Sequence, residues 1–174
     1  MRSSLAAAVR AATAALALAA PSSLAPALAQ EADPLAPYRG DYRPLLVFSP
    51  PADPRLMEQT DALDAARAGL IERDQVVLIA VGTGARTIEM RGGAVTQGAA
   101  PDNEALRARF GVAAEEFAVI LVGKDGGEKL RTDEVLSPTR LFTTIDAMPM
   151  RRREMREGGA GTPDAGASDS STAN

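Results

Sequence analysis

Three short apolar runs mark the middle of the chain. They are Leu45 to Phe48, Gln75 to Gly82 ("QVVLIAVG") and Phe117 to Val122. Runs of this length without polar alternation are typical of strands that are buried on both faces of a sheet. Pro50 and Pro51 follow the first run, and a glycine closes the second, so both end at turn signals. We therefore predict three core strands.

Apolar residues recur at helical spacing between the first two runs. Asp53 is suited to cap this helix, with Pro54 at the first helical position, where its missing N–H costs nothing. A strand, a helix and a second strand in this order predict a right-handed crossover between parallel strands. The apolar positions of the helix are Leu56, Leu63, Ala66, Leu70 and Ile71.

Two further helices are predicted downstream. The first should run from Asp102 or Asn103 to Phe110, with Gly111 as its C-terminal cap. The last should begin at Ser137-Pro138, with its apolar residues facing the core.

The third apolar run is expected to continue into a β-hairpin. Its turn is Lys124-Asp125-Gly126-Gly127, and Asp-Gly favours the backbone angles that a short connection requires. A Gly-rich segment upstream contains a further short strand around Thr87 to Met90. This element order predicts an α/β fold of thioredoxin-like type, with a central mixed β-sheet of about four strands flanked by helices.

The two ends of the chain differ in composition from its middle. Arg2 and Arg10, an alanine-rich run and small residues up to Ala29 follow the order of a secretory signal peptide. Cleavage after Ala29 would leave residues 30–156 as the folded domain of a periplasmic or secreted protein without stable membrane insertion. An uncleaved anchor is the alternative, although the run from Ala11 to Ala20 is too short to span a bilayer. Residues 157–174 lack large apolar side chains and are expected to be disordered.

The composition removes several chemistries. The chain has no cysteine and no histidine, which excludes thiol redox catalysis, thiolate metal ligation and a histidine general base. Its net charge of −4 becomes −6 when Arg2 and Arg10 leave with the signal peptide. An acidic protein of this kind is not expected to bind nucleic acid. We expect no cofactor, no metal and no enzymatic activity.

The turn after the first strand, Ser49 to Asp53, lies where an α/β protein commonly carries reactive groups. Ser49 has no histidine to activate it, so strand termination explains this residue better than nucleophilic catalysis. Asp53 and Arg55 are candidates for partner binding, because the N-terminus of a helix favours anions. The structural alternative is capping by Asp53, with Arg55 in solvent.

The chain also carries a concentrated group of positive charges, which consists of Arg151, Arg152, Arg153 and Arg156. We call these residues the arginine cluster. They follow the last predicted helix and can interact with its C-terminal carbonyl groups. They are also candidates for binding an acidic partner or a phosphate, since the guanidinium fork matches such groups.

Other motifs are assigned to turns. Gly82-Thr83-Gly84 fails the dinucleotide-binding pattern, because Thr87 stands at the third glycine position. The turn from Lys124 to Gly127 is explained by the hairpin alone. The spacing of Asp125, Glu128 and Asp133 matches no calcium loop.

Three stretches carry a family resemblance. They are "PLAPYRGDYRPLLVFSPPADPRLMEQ", "LRARFGVAAEEFAVILVGKDGGEKLR" and "LFTTIDAMPMRRREMR". They resemble the bacterial family catalogued as domain of unknown function 4174, over nearly all of residues 34–156, with "VGKDGGEKLR" and "DAMPMRRREMR" as the most specific parts. The resemblance implies a thioredoxin-like domain, related to animal extracellular-matrix sushi-repeat proteins, with no established reaction. It also implies that a CxxC pair is missing after the first strand, and that the proline which faces such a pair is replaced by Phe117.

These observations predict a periplasmic thioredoxin-like protein without redox activity that acts as a binding or interaction module. The expected partner is a protein or a small anionic ligand in the periplasm, contacted through Asp53, Arg55 or the arginine cluster. One alternative is a hydrolase or other enzyme that uses carboxylate and arginine groups at the strand ends, including Arg86 and Arg91. The other alternative is a structural protein of the cell envelope.

Overall fold

A computed structural model describes residues 33–83, 87–96 and 100–159 of the chain. They form a mixed β-sheet with helices packed on both faces. The predicted signal peptide and most of the predicted tail lie outside the described residues. The last helix reaches Gly159, so the folded part extends three residues beyond the boundary at 156 that the sequence predicts.

The described part of the chain contains six strands and five α-helices. The strands are β1 (Arg43–Ser49), β2 (Gln75–Val81), β3 (Ile88–Arg91), β4 (Ala94–Val95), β5 (Ala118–Val122) and β6 (Glu128–Thr132). The helices are α1 (Pro54–Ala65), α2 (Arg67–Glu72), α3 (Asn103–Phe110), α4 (Pro138–Asp146) and α5 (Pro149–Gly159), preceded by a 3₁₀ turn at Ala36–Tyr38. No helix within the described ranges is long and apolar enough to cross a membrane.

The strand order of the sheet is β4-β3-β2-β1-β5-β6. β1 is parallel to β2, with Leu46 opposite Leu78, and antiparallel to β5, with Leu46 opposite Ile120. β6 is antiparallel to β5. The order β2-β1-β5-β6 with these directions is the thioredoxin arrangement, so the predicted fold is confirmed.

The number of strands differs from the prediction, because the sheet has six strands and not about four. The hairpin of β3 and β4 extends it beyond β2. β3 lies within the stretch where a short strand was expected, but its burial alternates, with Glu89 buried and Ile88 exposed. β4 has only two residues, both exposed, and so leaves no apolar pattern in the sequence.

Each face of the sheet has its own hydrophobic core. Leu46 and Phe48 of β1 pack with α3 and the 3₁₀ turn on one face. Leu45 and Val47 pack with α1, α2 and α4 on the other. All seven residues of β1 are buried, which explains the continuous apolar run in the sequence.

The predicted caps at Asp53 and Gly111 are confirmed, and the predicted helix after β1 is divided. The carboxylate of Asp53 accepts the N–H of Arg55 at 2.9 Å, and Asp102 and Ser137 cap α3 and α4 in the same way. The helix after β1 is interrupted at Ala66, which has non-helical backbone angles, and Ile71 is consequently 55% exposed. Close to this break, Gly69 approaches the ring of Phe142 so tightly that a Cβ atom would lie 2.6 Å from it.

The last predicted helix corresponds to α4, and a further helix that was not predicted, α5, follows it. Pro149 begins α5 two residues after the C-cap of α4, because a proline cannot continue a helix but suits its first position. The arginine cluster therefore does not follow the last helix, as the sequence predicts, but lies within a helix of its own.

Arg107 joins α3 to the carboxyl ends of β1 and β2. Its guanidinium donates to the carbonyl oxygens of Ser49 at 3.3 Å, Ala80 at 3.1 Å and Gly82 at 3.0 Å. The side chain is 7% exposed and lies over the ring of Phe48, 5.2 Å from its centroid. Burial lowers the pKa of this guanidinium, yet an arginine remains charged at neutral pH. One buried cation thus donates hydrogen bonds to backbone carbonyl groups at the carboxyl ends of both strands.

Replacement of Arg107 by lysine should lower the free energy of unfolding by about 3 kcal/mol, because one ammonium group cannot serve carbonyl groups on two strands and leaves some of them unsatisfied. Urea titration of Arg107→Lys measures this. Arg140→Lys, at an exposed position, is the control and should stay within about 0.5 kcal/mol of the wild type. Equal unfolding midpoints for the two variants would contradict the assigned role.

Glu154 fixes α5 against the amino end of β1. Its carboxylate accepts two hydrogen bonds of 2.9 Å from Arg43, which is 1% exposed, and one of 2.8 Å from Lys124. Lys124 also pairs with Asp74 at 2.8 Å. Burial raises the pKa of Glu154, but the hydrogen bonds from Lys124 and Arg43 outweigh it and leave the pKa below its ordinary value of 4.5. The carboxylate therefore stays ionised at neutral pH.

Glu154→Gln should destabilise the fold by about 2 kcal/mol at neutral pH, since it removes the nearer counter-charge of the buried Arg43 and leaves it only Asp74, whose carboxylate lies 3.8 Å away. A carboxyl group with a depressed folded-state pKa stabilises above its unfolded-state pKa, and this contribution disappears as the pH falls below that value. The difference between wild type and variant should thus shrink below about pH 4.5. Thermal melts from neutral to acidic pH measure it, with the exposed Glu157→Gln as control. A difference that does not depend on pH would refute the charge-based role.

Candidate functional site

The turn after β1 contains no available nucleophile among its described residues. Ser49 is fully buried, and its hydroxyl donates to the carbonyl oxygen of Pro50 at 2.8 Å. Ala52 has a positive φ of 60°, which turns the chain sharply towards α1. These observations agree with the interpretation of Ser49 as the end of a strand.

Asp53 and Arg55 are brought together by the start of α1. The guanidinium of Arg55 binds the Asp53 carboxylate at 2.6 Å, in addition to the backbone cap. The side-chain hydrogen bond from Arg55 lowers the pKa of Asp53 and keeps it ionised. Capping by Asp53 is therefore confirmed, whereas Arg55 is not simply solvated as the structural alternative had it.

Phe117 and Asp133 complete this corner of the fold. Arg55 donates to the carbonyl oxygen of Asp133 at 3.0 Å, and its guanidinium lies 4.5 Å from the centroid of the Phe117 ring. Phe117 is 3% exposed and directly precedes β5, where the sequence resemblance places it. A closed ion pair stacked on a buried aromatic ring fills the position at which thioredoxin-like redox proteins carry their cysteines.

A second polar cluster lies at β3, on the other face of the sheet. The Tyr38 hydroxyl and the Arg91 Nε each donate to the Glu89 carboxylate at 2.5 Å. The Arg91 guanidinium also lies 4.3 Å from the ring centroid of Tyr42. Burial, followed by the hydrogen bond to Glu89, raises the pKa of Tyr38 well above its ordinary range. The sequence reasoning missed this cluster because Tyr38 and Glu89 are 51 residues apart.

The groups named for the enzyme alternative do not converge among the described residues. Arg91 is engaged with Glu89 on the α3 face, while Asp53 and Arg55 lie beside Phe117, which belongs to the core of the opposite face. Arg86 lies outside the described residues. No concave group of carboxylates and arginines therefore forms at the strand ends that the structure describes.

Of the three acidic residues considered for a metal site, Asp125 and Glu128 are separately paired. Asp125 binds Lys129 at 2.6 Å, and Glu128 binds Arg131 at 2.8 Å. In the part of the chain that the structure describes, no group of three or more acidic side chains is placed to hold a metal ion.

The hairpin turn has a role that its own sequence did not reveal. Lys124 reaches Asp74 and Glu154, and so links "VGKDGGEKLR" to "DAMPMRRREMR", the two stretches most specific to the family resemblance. The two stretches border a cavity of about 100 Å³ together with Arg43 of β1. Each cation at this cavity already has a carboxylate partner, so the junction is a structural connection.

The arginine cluster is divided by the orientation of α5. The side chain of Arg151 is 8% exposed and donates to Glu72, both to its carboxylate at 2.6 Å and to its backbone oxygen at 3.0 Å. Arg152, Arg153 and Arg156 are exposed and form no ion pair with any described residue.

The signal for this division is present in the sequence. Arg151 and Glu154 are three residues apart and so share one face of a helix that starts at Pro149. Both turn inward. The outward face carries the other three arginines, and Met150 and Met155, which are 42% and 41% exposed, flank it. We call Arg152, Arg153 and Arg156 the α5 basic face.

Comparison with known proteins gives the family of the chain. No curated protein matches the chain. Among solved structures it is similar to a thioredoxin-fold protein from Helicobacter pylori, at 14% sequence identity and a TM-score of 0.39, over 67% of this chain and 74% of that one. The family described as Domain of unknown function (DUF4174) matches residues 34–154, from the 3₁₀ turn to the inner face of α5. The chain therefore belongs to the DUF4174 family.

Proposed function

We propose that the protein is a periplasmic binding or interaction module, without redox or other enzymatic activity, whose partner contacts the α5 basic face. The single observation that carries the proposal is the orientation of α5. Arg151 and Glu154 occupy its inner side, and three arginines point outward without an ion pair among the described residues. The secretion-type N-terminus supports the periplasmic location.

The charge of this face favours an acidic partner. The chain as a whole has a net charge of −4, so a face with three unpaired cations contrasts with the rest of the molecule. Guanidinium groups bind carboxylates and phosphates in two-pronged geometry. The exposed Met150 and Met155 add adaptable apolar contact. We infer an acidic segment of another protein, or a small anionic ligand, as the partner.

The turn after β1 is the less favourable contact surface. The Asp53 carboxylate and the Arg55 guanidinium already satisfy each other, and Arg55 also stacks on Phe117. A partner would have to break this pair before it could bind either group. The same arrangement supports the absence of redox activity, because no thiol is present and the reactive position is filled.

A variant that lacks the α5 basic face should lose its partner. Arg152→Ala, Arg153→Ala and Arg156→Ala together remove exposed charge and leave Arg151 and Glu154 in place, so the fold should persist. A photo-crosslinker at Met155 in living cells should capture a discrete partner with the wild type and at least about tenfold less with the triple variant.

The matched control removes the same charge from elsewhere on the surface. Arg39→Ala, Arg131→Ala and Arg140→Ala lie at exposed positions outside α5 and should leave the captured species unchanged. A crosslinker at Met57, which is 68% exposed on α1, should capture little. Equal capture by both triple variants, or from both crosslinker positions, would rule out the α5 basic face as the contact.

Disulfide chemistry gives a separate prediction. The mature protein should not accelerate the reduction of insulin by dithiothreitol, because thiol–disulfide exchange requires a thiolate and the chain has none. A thioredoxin enzyme at the same concentration serves as the positive control. Any rate above the uncatalysed one would disprove the non-redox assignment without affecting the α5 basic face.

A further inference from the structure

A second cavity lies between the helices after β1 and the hairpin of β3 and β4, away from α5. It has a volume of about 30 Å³. Asp64 and Arg67, which pair with each other, stand at its exposed rim together with the hairpin turn at Gly92. The buried apolar side chains that form its floor are Leu63, Leu70, Val77 and Ile79.

Gln75 is the unusual residue of this cavity. It lies among the floor residues, is 4% exposed, and neither its amide nitrogen nor its amide oxygen has a hydrogen-bond partner among the described residues. Gln59, the other buried glutamine, shows the contrasting state, because its amide donates to Leu136 at 3.1 Å and accepts from Leu136 at 2.7 Å. A buried amide without partners is costly, so the Gln75 amide requires a partner other than the described residues.

We infer that this cavity binds the terminal carboxamide of a small neutral molecule with an apolar body. A primary carboxamide donates and accepts at the same end and so pairs with the Gln75 amide in both directions. A cavity of about 30 Å³ accommodates about two or three water-sized groups, which matches the head of a carboxamide. The apolar body then lies towards the mouth, against Val77 and Met90.

The surroundings disfavour the simpler occupants. A buried water needs two to four polar partners. Inside the rim the polar side chains are Gln75 and Thr60, and the Thr60 hydroxyl is already bonded to the carbonyl oxygens of Leu56 and Met57. Asp64 and Arg67 already bind each other. A carboxylate or an ammonium group would lose its hydration against the apolar floor without gaining a counter-charge. A neutral group with paired donor and acceptor is the chemistry that fits.

Isobutyramide is the probe that tests this inference on the whole protein. Titration followed by proton–nitrogen correlation spectra should shift the Gln75 side-chain amide and the backbone amides of Val77 and Met90 saturably, with a dissociation constant in the millimolar range expected for so small a ligand. N,N-dimethylisobutyramide, which cannot donate, should bind at least about tenfold more weakly for want of one hydrogen bond.

A variant distinguishes binding of the probe in the cavity from non-specific binding elsewhere. Gln75→Leu should abolish the saturable shifts and leave the unfolding midpoint no lower, since no hydrogen bond within the chain is lost. The comparison of the two probes on the wild type keeps the test decisive if that variant does not fold. The inference is overturned if the Gln75 amide does not shift, if both probes bind equally, or if Gln75→Leu binds isobutyramide as the wild type does.

Discussion

The structure depends on two buried arginines that connect the two ends of β1 to the helices. This strand is buried along its whole length between two helical layers, and buried carbonyl groups need hydrogen-bond partners. At the carboxyl end Arg107 donates to the carbonyl oxygen of Ser49, and at the amino end Arg43 donates to the carbonyl oxygen of Arg73, at the end of α2. Both side chains are nearly inaccessible to solvent. In a chain without cysteine, buried arginines link the layers that disulfides could otherwise have joined.

The two arginines differ in how their positive charge is compensated, and they therefore differ in their dependence on carboxylate ionisation. Arg43 pairs with Glu154, so it ties the position of α5 to the ionisation of a carboxylate. Arg107 has no carboxylate within ion-pair distance among the described residues and is held by carbonyl dipoles alone. Its contacts therefore do not depend directly on the ionisation of a paired carboxylate. At the amino end of β1 the position of α5 does depend on one, because Glu154 must stay ionised to pair with Arg43.

Local patterns in the sequence were sufficient for much of the fold and for little of the site. The apolar runs, the cap at Asp53 and the helix starts near Asp102 and Ser137 depend on neighbouring residues only, and the structure confirms them. A short strand was predicted near β3, but β4 was not, because its two residues are exposed and form no apolar run. Pairs such as Tyr38 with Glu89 and Arg43 with Glu154 join residues far apart in sequence. No local sequence pattern predicts these long-range pairs, and the pairs determine which arginines remain available to bind a partner.

The same argument explains why we propose α5, and not the turn after β1, as the contact surface. The charged groups of the turn are already engaged with each other, since Arg55 is bound by Asp53 and stacked on Phe117. On α5 the two inward-facing residues, Arg151 and Glu154, make the contacts that hold this helix against the rest of the fold. The outer arginines form no ion pair with the described residues. Exposed charges are screened within about 8 Å at physiological salt, so they attract an acidic partner but add little affinity alone. In the proposed complex the flanking methionines must then supply much of the contact energy. The arginines of the α5 basic face would select an acidic partner and contribute little to the affinity.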